Sequence, residues 1–96
     1  MEPITVTHNK ARQRYEVLLP DGDHAVIAYE MMGDKMGLMH TVVPEAHEGK
    51  GIAGTMAKFA LEEAKEQGIK VLPYCPYIQT YVKRHPEYND IIATME

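Results

Sequence analysis

A glycine-bearing loop between an apolar strand and an alanine-rich helix is the feature that most constrains this chain. The loop covers residues 48–53 (EGKGIA), with glycines at Gly49 and Gly51, and the helix follows it directly. Glycine permits backbone angles that bring successive N–H groups toward one spot. The first N–H groups of a helix lack partners within it, and the helix dipole is positive at that end. The loop therefore predicts an anion site, although a short Gly-x-Gly also fits a merely flexible loop.

Four segments before this loop have the alternating or β-branched pattern of strands. Turn residues separate the second from the third (Pro20-Asp21-Gly22-Asp23) and the third from the fourth (residues 33–37, GDKMG). The first half of the chain is therefore predicted to form a four-stranded antiparallel meander without a helix. The predicted strands are residues 4–9, 14–19, 25–32 and 38–43.

The segment after the loop predicts a crossover to a parallel strand. Apolar residues recur at the helical period until Gly68, a typical C-terminal cap, and residues 69–73 then read as a strand parallel to residues 38–43. A second helix over residues 77–84 must stop at His85-Pro86, because the residue before proline avoids helical angles. The fold class is thus α+β, as a three-layer (α/β-type) or two-layer sheet. Residues 90–92 either add a last strand or pack over the core.

The strand over residues 38–43 is predicted to be central, since both of its faces carry apolar side chains. Strict alternation puts Leu38, His40 and Val42 on one face and Met39, Thr41 and Val43 on the other. His40 is then semi-buried. It is either a hydrogen-bonded structural histidine or a group beside the reacting atoms.

Composition narrows the class of partner. The 96 residues suit one domain, and the net charge of -4, with scattered Lys and Arg, argues against a nucleic-acid partner. No long apolar run predicts a membrane span. The single cysteine, Cys75, suits a reducing compartment, so we expect a cytoplasmic protein. Neither Cys-x-x-Cys nor His-Glu-x-x-His spacing occurs, so we expect no metal site.

Further segments on both sides of the loop carry a family resemblance. They are Val43-Pro44 before it and Cys75-Pro76-Tyr77, Tyr81 and His85-Pro86-Glu87-Tyr88 after it. Together with the loop and the alanine-rich helix, they resemble the GNAT superfamily of acetyl-CoA-dependent N-acetyltransferases, and within it the minimal single-domain YjdJ-type branch. The resemblance covers nearly the whole chain and implies a GNAT-like fold.

The resemblance implies an acetyl-CoA site where the strand over residues 38–43 splays from the strand over residues 69–73. The pantetheine arm would pair with the strand backbone, and the diphosphate would lie on the loop amides beside the positive charge of Lys50. The implied cofactor-binding residues are Val42, Val43, Glu48, Gly49, Lys50, Gly51, Ile52, Ala53, Cys75 and Pro76.

Two positions depart from the family pattern. The family loop begins with Gln or Arg, whereas this chain has Glu48, whose charge would repel a diphosphate unless it points outward or pairs with Lys50 or His47. The branch often has a glutamate where this chain has Val42. A carboxylate base at that position is therefore absent.

Three residues are candidates for a catalytic role. The resemblance implies that Tyr81 protonates the departing CoA thiolate, although Tyr77 and Tyr81 are one helical turn apart and also fit a packing stripe. Cys75 precedes a helix start that favours thiolate, so it is either an acetyl-accepting nucleophile or a small buried hydrophobe that lines the cleft. His40, acting with a water chain, is a weak candidate for the general base.

The acceptor is the least defined part of the prediction. Larger GNAT enzymes place one or two helices between their first two strands, whereas here only residues 10–13 are available, so the acceptor groove is expected to be open. The acceptor is then an amine such as a protein lysine, a polyamine or a small molecule, or a partner chain completes the site. Three classes of function remain open. They are a working acetyltransferase, a CoA-binding module without turnover, and a non-catalytic interaction domain. We expect a monomer or a weak homodimer.

Overall fold

A mixed five-stranded sheet forms in chain order, β1-β2-β3-β4-β5. The computed structural model describes residues 4–93. Neighbouring strands are antiparallel except β4 and β5, which are parallel and joined through α1. The predicted meander and crossover are therefore confirmed. The elements are β1 Thr7–Asn9, β2 Arg14–Leu18, β3 His24–Met32, β4 Lys35–Val42, a 3-10 turn Glu45–His47, α1 Ile52–Gln67, β5 Lys70–Pro73, α2 Pro76–Arg84 and a 3-10 segment Pro86–Ile91.

Both helices pack on the same face of the sheet. They contact each other, and their buried side chains join those of the sheet in one hydrophobic core. The α+β class is confirmed, but the described residues form two layers rather than three. The largest fully buried side chains are Tyr15, Tyr88, Ile27, Leu38, Met56, Leu61, Ile78 and Val71. Neither helix of the described region is long and apolar enough to cross a membrane.

Three of the predicted strands have clearly different bounds in the structure. Only Thr7–Asn9 of the predicted first strand pairs with β2. β4 begins at Lys35, three residues earlier than predicted, because the chain reverses within Gly33-Asp34 alone, where Gly33 has φ 67°. The predicted last strand is reduced to a single parallel bridge between Val71 and Ile92, after a 3-10 segment that buries Tyr88 and Ile91.

β4 contains a bulge that changes which side chains face the helices. Tyr29 is paired with Leu38 and Ala28 with His40, so Met39 is an extra residue on β4. Leu38 therefore faces the helices, and Thr41, paired with the buried Ile27, faces the same side. The predicted alternation, with Leu38 and His40 on one face, is wrong. A bulge resets the period-2 pattern and bends the strand that carries it.

His8 anchors the edge strand β1 to the rest of the molecule. Its Nδ1 lies 2.5 Å from Glu63 Oε1 on α1 and its Nε2 lies 2.6 Å from the Tyr29 hydroxyl on β3. Its ring stacks on Tyr15 with centroids 4.3 Å apart. One imidazole thus ties the edge of the sheet to α1.

Replacing His8 by alanine should destabilise the fold by about 2 kcal/mol, because Glu63 and Tyr29 lose a partner in a partly buried place and Tyr15 loses a stacked ring. Urea unfolding followed by circular dichroism measures the loss. Lys10→Ala, at an exposed position of the next turn, is the matched control. A change in His8→Ala no larger than that of the control would contradict an anchoring role.

Candidate functional site

A slot opens where β4 and β5 stop pairing. The last pair of the parallel ladder is Leu38 with Pro73, yet β4 continues to Val42. The Cys75 N–H donates to the Leu38 carbonyl at 2.8 Å, and the chain then turns into α2. Beyond Leu38, β4 therefore presents an edge that β5 does not cover.

The loop before α1 presents its backbone donors at this slot. Gly49 and Gly51 have φ values of 81° and 78°, in the left-handed region that other residues avoid. The first helical bond there is from the Thr55 N–H to the Gly51 carbonyl, and no side chain caps α1. Among residues 4–93, the N–H groups of residues 49–54 thus have no hydrogen-bond acceptor, as an anion site requires.

The slot and the loop enclose one cavity of about 370 Å³. Its walls come from the end of β4, the loop, the first turn of α1 and one side chain of α2. The structure therefore brings together most of the residues that the resemblance assigned to cofactor binding. The lining residues are Thr41, Val43, His47, Glu48, Gly49, Gly51, Ile52, Ala53, Gly54 and Tyr77.

Four predicted cofactor residues lie outside this lining. Val42 and Pro76 are exposed, and Lys50 borders a neighbouring cavity instead. Cys75 is only 3% exposed, and its Sγ lies 3.3 Å from Thr41 Oγ1. The thiol is therefore buried in contact with Thr41, which lines the cavity, and is not itself part of the lining.

His40 does not reach the slot. It is exposed, and its pairing with Ala28 puts it on the opposite face of the sheet from Thr41. The predicted semi-burial is wrong because the bulge at Met39 puts Leu38 and His40 on opposite faces of the sheet. The imidazole borders a shallow pocket next to Arg12 and Glu30.

Tyr77, rather than Tyr81, is the tyrosine at the cavity. Its hydroxyl lies 3.4 Å from the position that a Cβ on Gly54 would take, so it sits over the first turn of α1. Tyr81 stacks instead on His85, with ring centroids 4.2 Å apart. Burial raises the pKa of both Tyr77 and Tyr81, so the distinction between them rests on position and not on protonation.

Sequence reasoning did not single out Tyr77 as a cavity residue, although its place directly after β5 was a signal for it. Tyr77 is in the first turn of α2, which begins where β5 ends, whereas Tyr81 is one turn farther along the helix. A residue at the start of that helix lies nearer to the end of β4. The catalytic assignment of Tyr81 stays a prediction that a variant can test.

Glu48 borders the cavity without pairing with His47. Of the arrangements that would relieve the charge of Glu48, pairing with His47 does not occur, because His47 Nε2 is 2.9 Å from Asp21 Oδ2 in the β2–β3 turn. This hydrogen bond lowers the pKa of Asp21. His47 is thereby fixed in the cavity wall, and Glu48, an exposed residue, borders the same space as the loop glycines.

Comparison with known proteins gives the family. The sequence pattern of the GCN5-related N-acetyl-transferase family matches residues 14–91. The chain belongs to the GCN5-related N-acetyltransferase family. The predicted resemblance to a small GNAT domain is thus confirmed, and the family pattern spans every element from β2 to the last 3-10 segment.

Relatives and a solved structure agree with this GNAT assignment. Protein NATD1 of Mus musculus is 43% identical over 86 residues, which are 88% of this chain and 78% of the relative. Protein NATD1 of Danio rerio is 41% identical over 94 residues, covering 93% and 84%. The solution structure of a GCN5-like protein from Staphylococcus aureus has a TM-score of 0.75 at 18% identity, covering 100% of this chain and 94% of that one, and shows the shared fold.

Proposed function

We propose that this GNAT domain is an acetyl-CoA-dependent N-acetyltransferase that acts on an amine. The observation that carries the proposal is the row of unpaired N–H groups over residues 49–54, which opens into a cavity where β4 parts from β5. Backbone donors at the positive end of a helix suit a diphosphate. The free edge of β4 suits the amide groups of an extended ligand.

The residues that line the cavity fit acetyl-CoA, except that the negative charge of Glu48 opposes binding of its diphosphate. The backbone donors are independent of side-chain identity, so the replacement of the family's Gln or Arg by Glu48 leaves them in place. The Glu48 carboxylate borders the same cavity and would weaken the attraction of a diphosphate. We therefore expect binding that strengthens when Glu48 is replaced by glutamine.

Tyr77 would supply the proton for the leaving group. Acetyl-CoA supplies the acetyl thioester when bound. As the amine nitrogen attacks the carbonyl carbon and the C–S bond breaks, Tyr77 gives its hydroxyl proton to the thiolate, and it regains a proton from the one that the amine releases.

Cys75 would support Thr41 rather than carry the acetyl group. Its thiol is nearly fully buried and hydrogen-bonded to Thr41, so it does not face the cavity. We expect incubation with acetyl-CoA to leave the intact mass of the protein unchanged, and Cys75→Ala to retain turnover of the same order. An added acetyl group on the wild type that is missing in Cys75→Ala would show a covalent route through this thiol.

The test of the proposed function is titration of isotope-labelled protein with CoA. Amide signals of residues 49–54 and of Val43 should shift, while those of Gly33, in the turn at the other end of β4, should stay in place. Unmoved signals in the loop would refute the cofactor site and leave an interaction domain with the family fold.

A CoA-binding module without turnover is the second candidate. The acidic Glu48 and the apolar Val42, which replaces the branch's common glutamate, favour it. Release of free CoA thiol from acetyl-CoA, in the presence of polyamines and lysine peptides, separates the two candidates. Binding without any amine-dependent thiol release would support the module.

A further inference from the structure

His47 is a buried polar side chain directly before the loop. It is 8% exposed and ends the 3-10 turn Glu45–His47, and the loop over residues 48–53 follows it. A buried polar group is costly to the fold unless it has a hydrogen-bond partner. The partner of His47 is Asp21, whose Oδ2 lies 2.9 Å from Nε2 of the imidazole. This hydrogen bond joins the β2–β3 turn to the segment that leads into the loop.

Asp21 is held in place by its own turn. Its other carboxylate oxygen, Oδ1, accepts a hydrogen bond from the Asp23 N–H at 3.1 Å. The Leu19 N–H donates to the Asp23 carbonyl at 2.8 Å, and the Gly22 N–H donates to the Leu19 carbonyl at 3.0 Å. The hydrogen bonds from His47 and then from Asp23 lower the pKa of Asp21, so its carboxylate is ionised at neutral pH. The carboxylate is therefore fixed relative to the paired strands β2 and β3.

The segment over residues 44–50 depends on this bond for its connection to the sheet. Its backbone hydrogen bonds are local, from the His47 N–H to the Pro44 carbonyl at 2.8 Å and from the Glu48 N–H to the Glu45 carbonyl at 3.2 Å. Within residues 4–93, the bond between His47 and Asp21 is the one hydrogen bond that joins this segment to another part of the molecule. Losing it would release the segment that precedes the loop amides.

We propose that Asp21 is a positioning residue for CoA binding, which acts through His47 to hold the loop amides at the cavity. The proposal rests on the proposed function, because it takes the diphosphate of CoA to lie on those amides. His47 lines the cavity, whereas Asp21 does not and is part of the β2–β3 turn. Asp21 therefore contributes to affinity without touching the ligand.

The sign of the effect separates positioning from simple electrostatics. Asp21 carries a negative charge, and the diphosphate is also negative, so removing the carboxylate would strengthen binding if charge alone mattered. A positioning role predicts the opposite, because preorganised donors bind an anion better than donors that must first be ordered. Weaker binding after loss of a negative charge is thus specific to the proposed role.

The experiment is calorimetric titration of Asp21→Ala with CoA. We expect affinity to fall about tenfold, the effect of losing one hydrogen bond with a charged group. The side chain of Asp21 is 50% exposed, so the variant should fold, and an unchanged stoichiometry of binding verifies this. Asp23→Ala, at an exposed position of the same turn, removes an equal charge and leaves the bond to His47 in place. This control should bind CoA within about twofold of the wild type.

A double-mutant cycle tests whether Asp21 acts through His47. His47→Leu removes the donor and keeps an apolar side chain at a buried position. Asp21→Ala should weaken CoA binding in the wild type and have no further effect in His47→Leu, because the bond is already absent. Equal weakening in both backgrounds would overturn the proposed route through His47.

Kinetics distinguish positioning of the loop from general damage to the site. In Asp21→Ala, KM for acetyl-CoA should rise by about the factor seen in CoA binding, while kcat stays the same, since Tyr77 is on α2 and is untouched. A fall in kcat with an unchanged KM would contradict the proposal. Wild-type binding of CoA with equal or tighter binding by Asp21→Ala would overturn the role of Asp21 alone, whereas no binding of CoA by the wild type would overturn the proposed function as well.

Discussion

Replacing Tyr77 by phenylalanine should lower the rate of acetyl transfer by about a hundredfold, the smaller end of the range for loss of a general acid. The hydroxyl lies at the cavity over the first turn of α1, where it can donate a proton as the thiolate leaves. CoA affinity should change little, because the backbone donors of the loop are untouched. Thiol release at saturating acetyl-CoA, together with CoA binding by calorimetry, measures the two effects separately.

Tyr81→Phe is the matched control for this prediction. Tyr81 is on the same helix and stacks on His85 away from the cavity, so its hydroxyl should be dispensable for turnover. A large rate loss in Tyr81→Phe with full activity in Tyr77→Phe would contradict the assignment and restore the role that the family resemblance implied for Tyr81.

Gly51→Val should weaken CoA binding by about a hundredfold, which is the loss of two hydrogen bonds to a charged group at about 1.5 kcal/mol each. Gly51 precedes α1 with φ 78°, where a β-branched residue is strained by about 1–2 kcal/mol. Relaxing that strain turns the N–H groups of Gly51 and Ile52 away from the cavity. Calorimetric titration with CoA measures the change.

Gly33→Val separates this effect from general destabilisation. Gly33 has a similar φ of 67°, and an added Cβ meets no atom at either glycine. Both variants should therefore lose similar unfolding free energy in urea, while only Gly51→Val loses CoA affinity. Equal affinity in the two variants would show that the loop amides contribute nothing to binding.

Much of the architecture could be predicted because local chemistry dictates it. The turns at Asp21-Gly22 and Gly33-Asp34, and the capping glycine at Gly68, fix where strands reverse and where α1 ends. The helix after Gly51 could lead only to a parallel strand, since it spans the length of a crossover. The loop donors followed from the same reasoning, because helix starts leave N–H groups unpaired.

The missed features depend on contacts between distant segments. The bulge at Met39 arises where β3 and β4 pair, and no local pattern marks it, so strict alternation misplaced His40. That Tyr77 lines the cavity depends on how α2 leaves β5. Packing of both helices on one face depends on their mutual contact, which helical periodicity alone does not specify.

The extra residue in β4, Met39, affects the shape of the slot without lining the cavity. Removing Met39 would join Leu38 to His40 and keep both His40 and Thr41 on their present faces, since regular alternation then gives the same orientations. The strand would lose the bend that a bulge introduces, and its edge beyond Leu38 would run in a different direction. Deleting one residue would thus change the shape of the cavity entrance while leaving every residue that lines the cavity in the sequence.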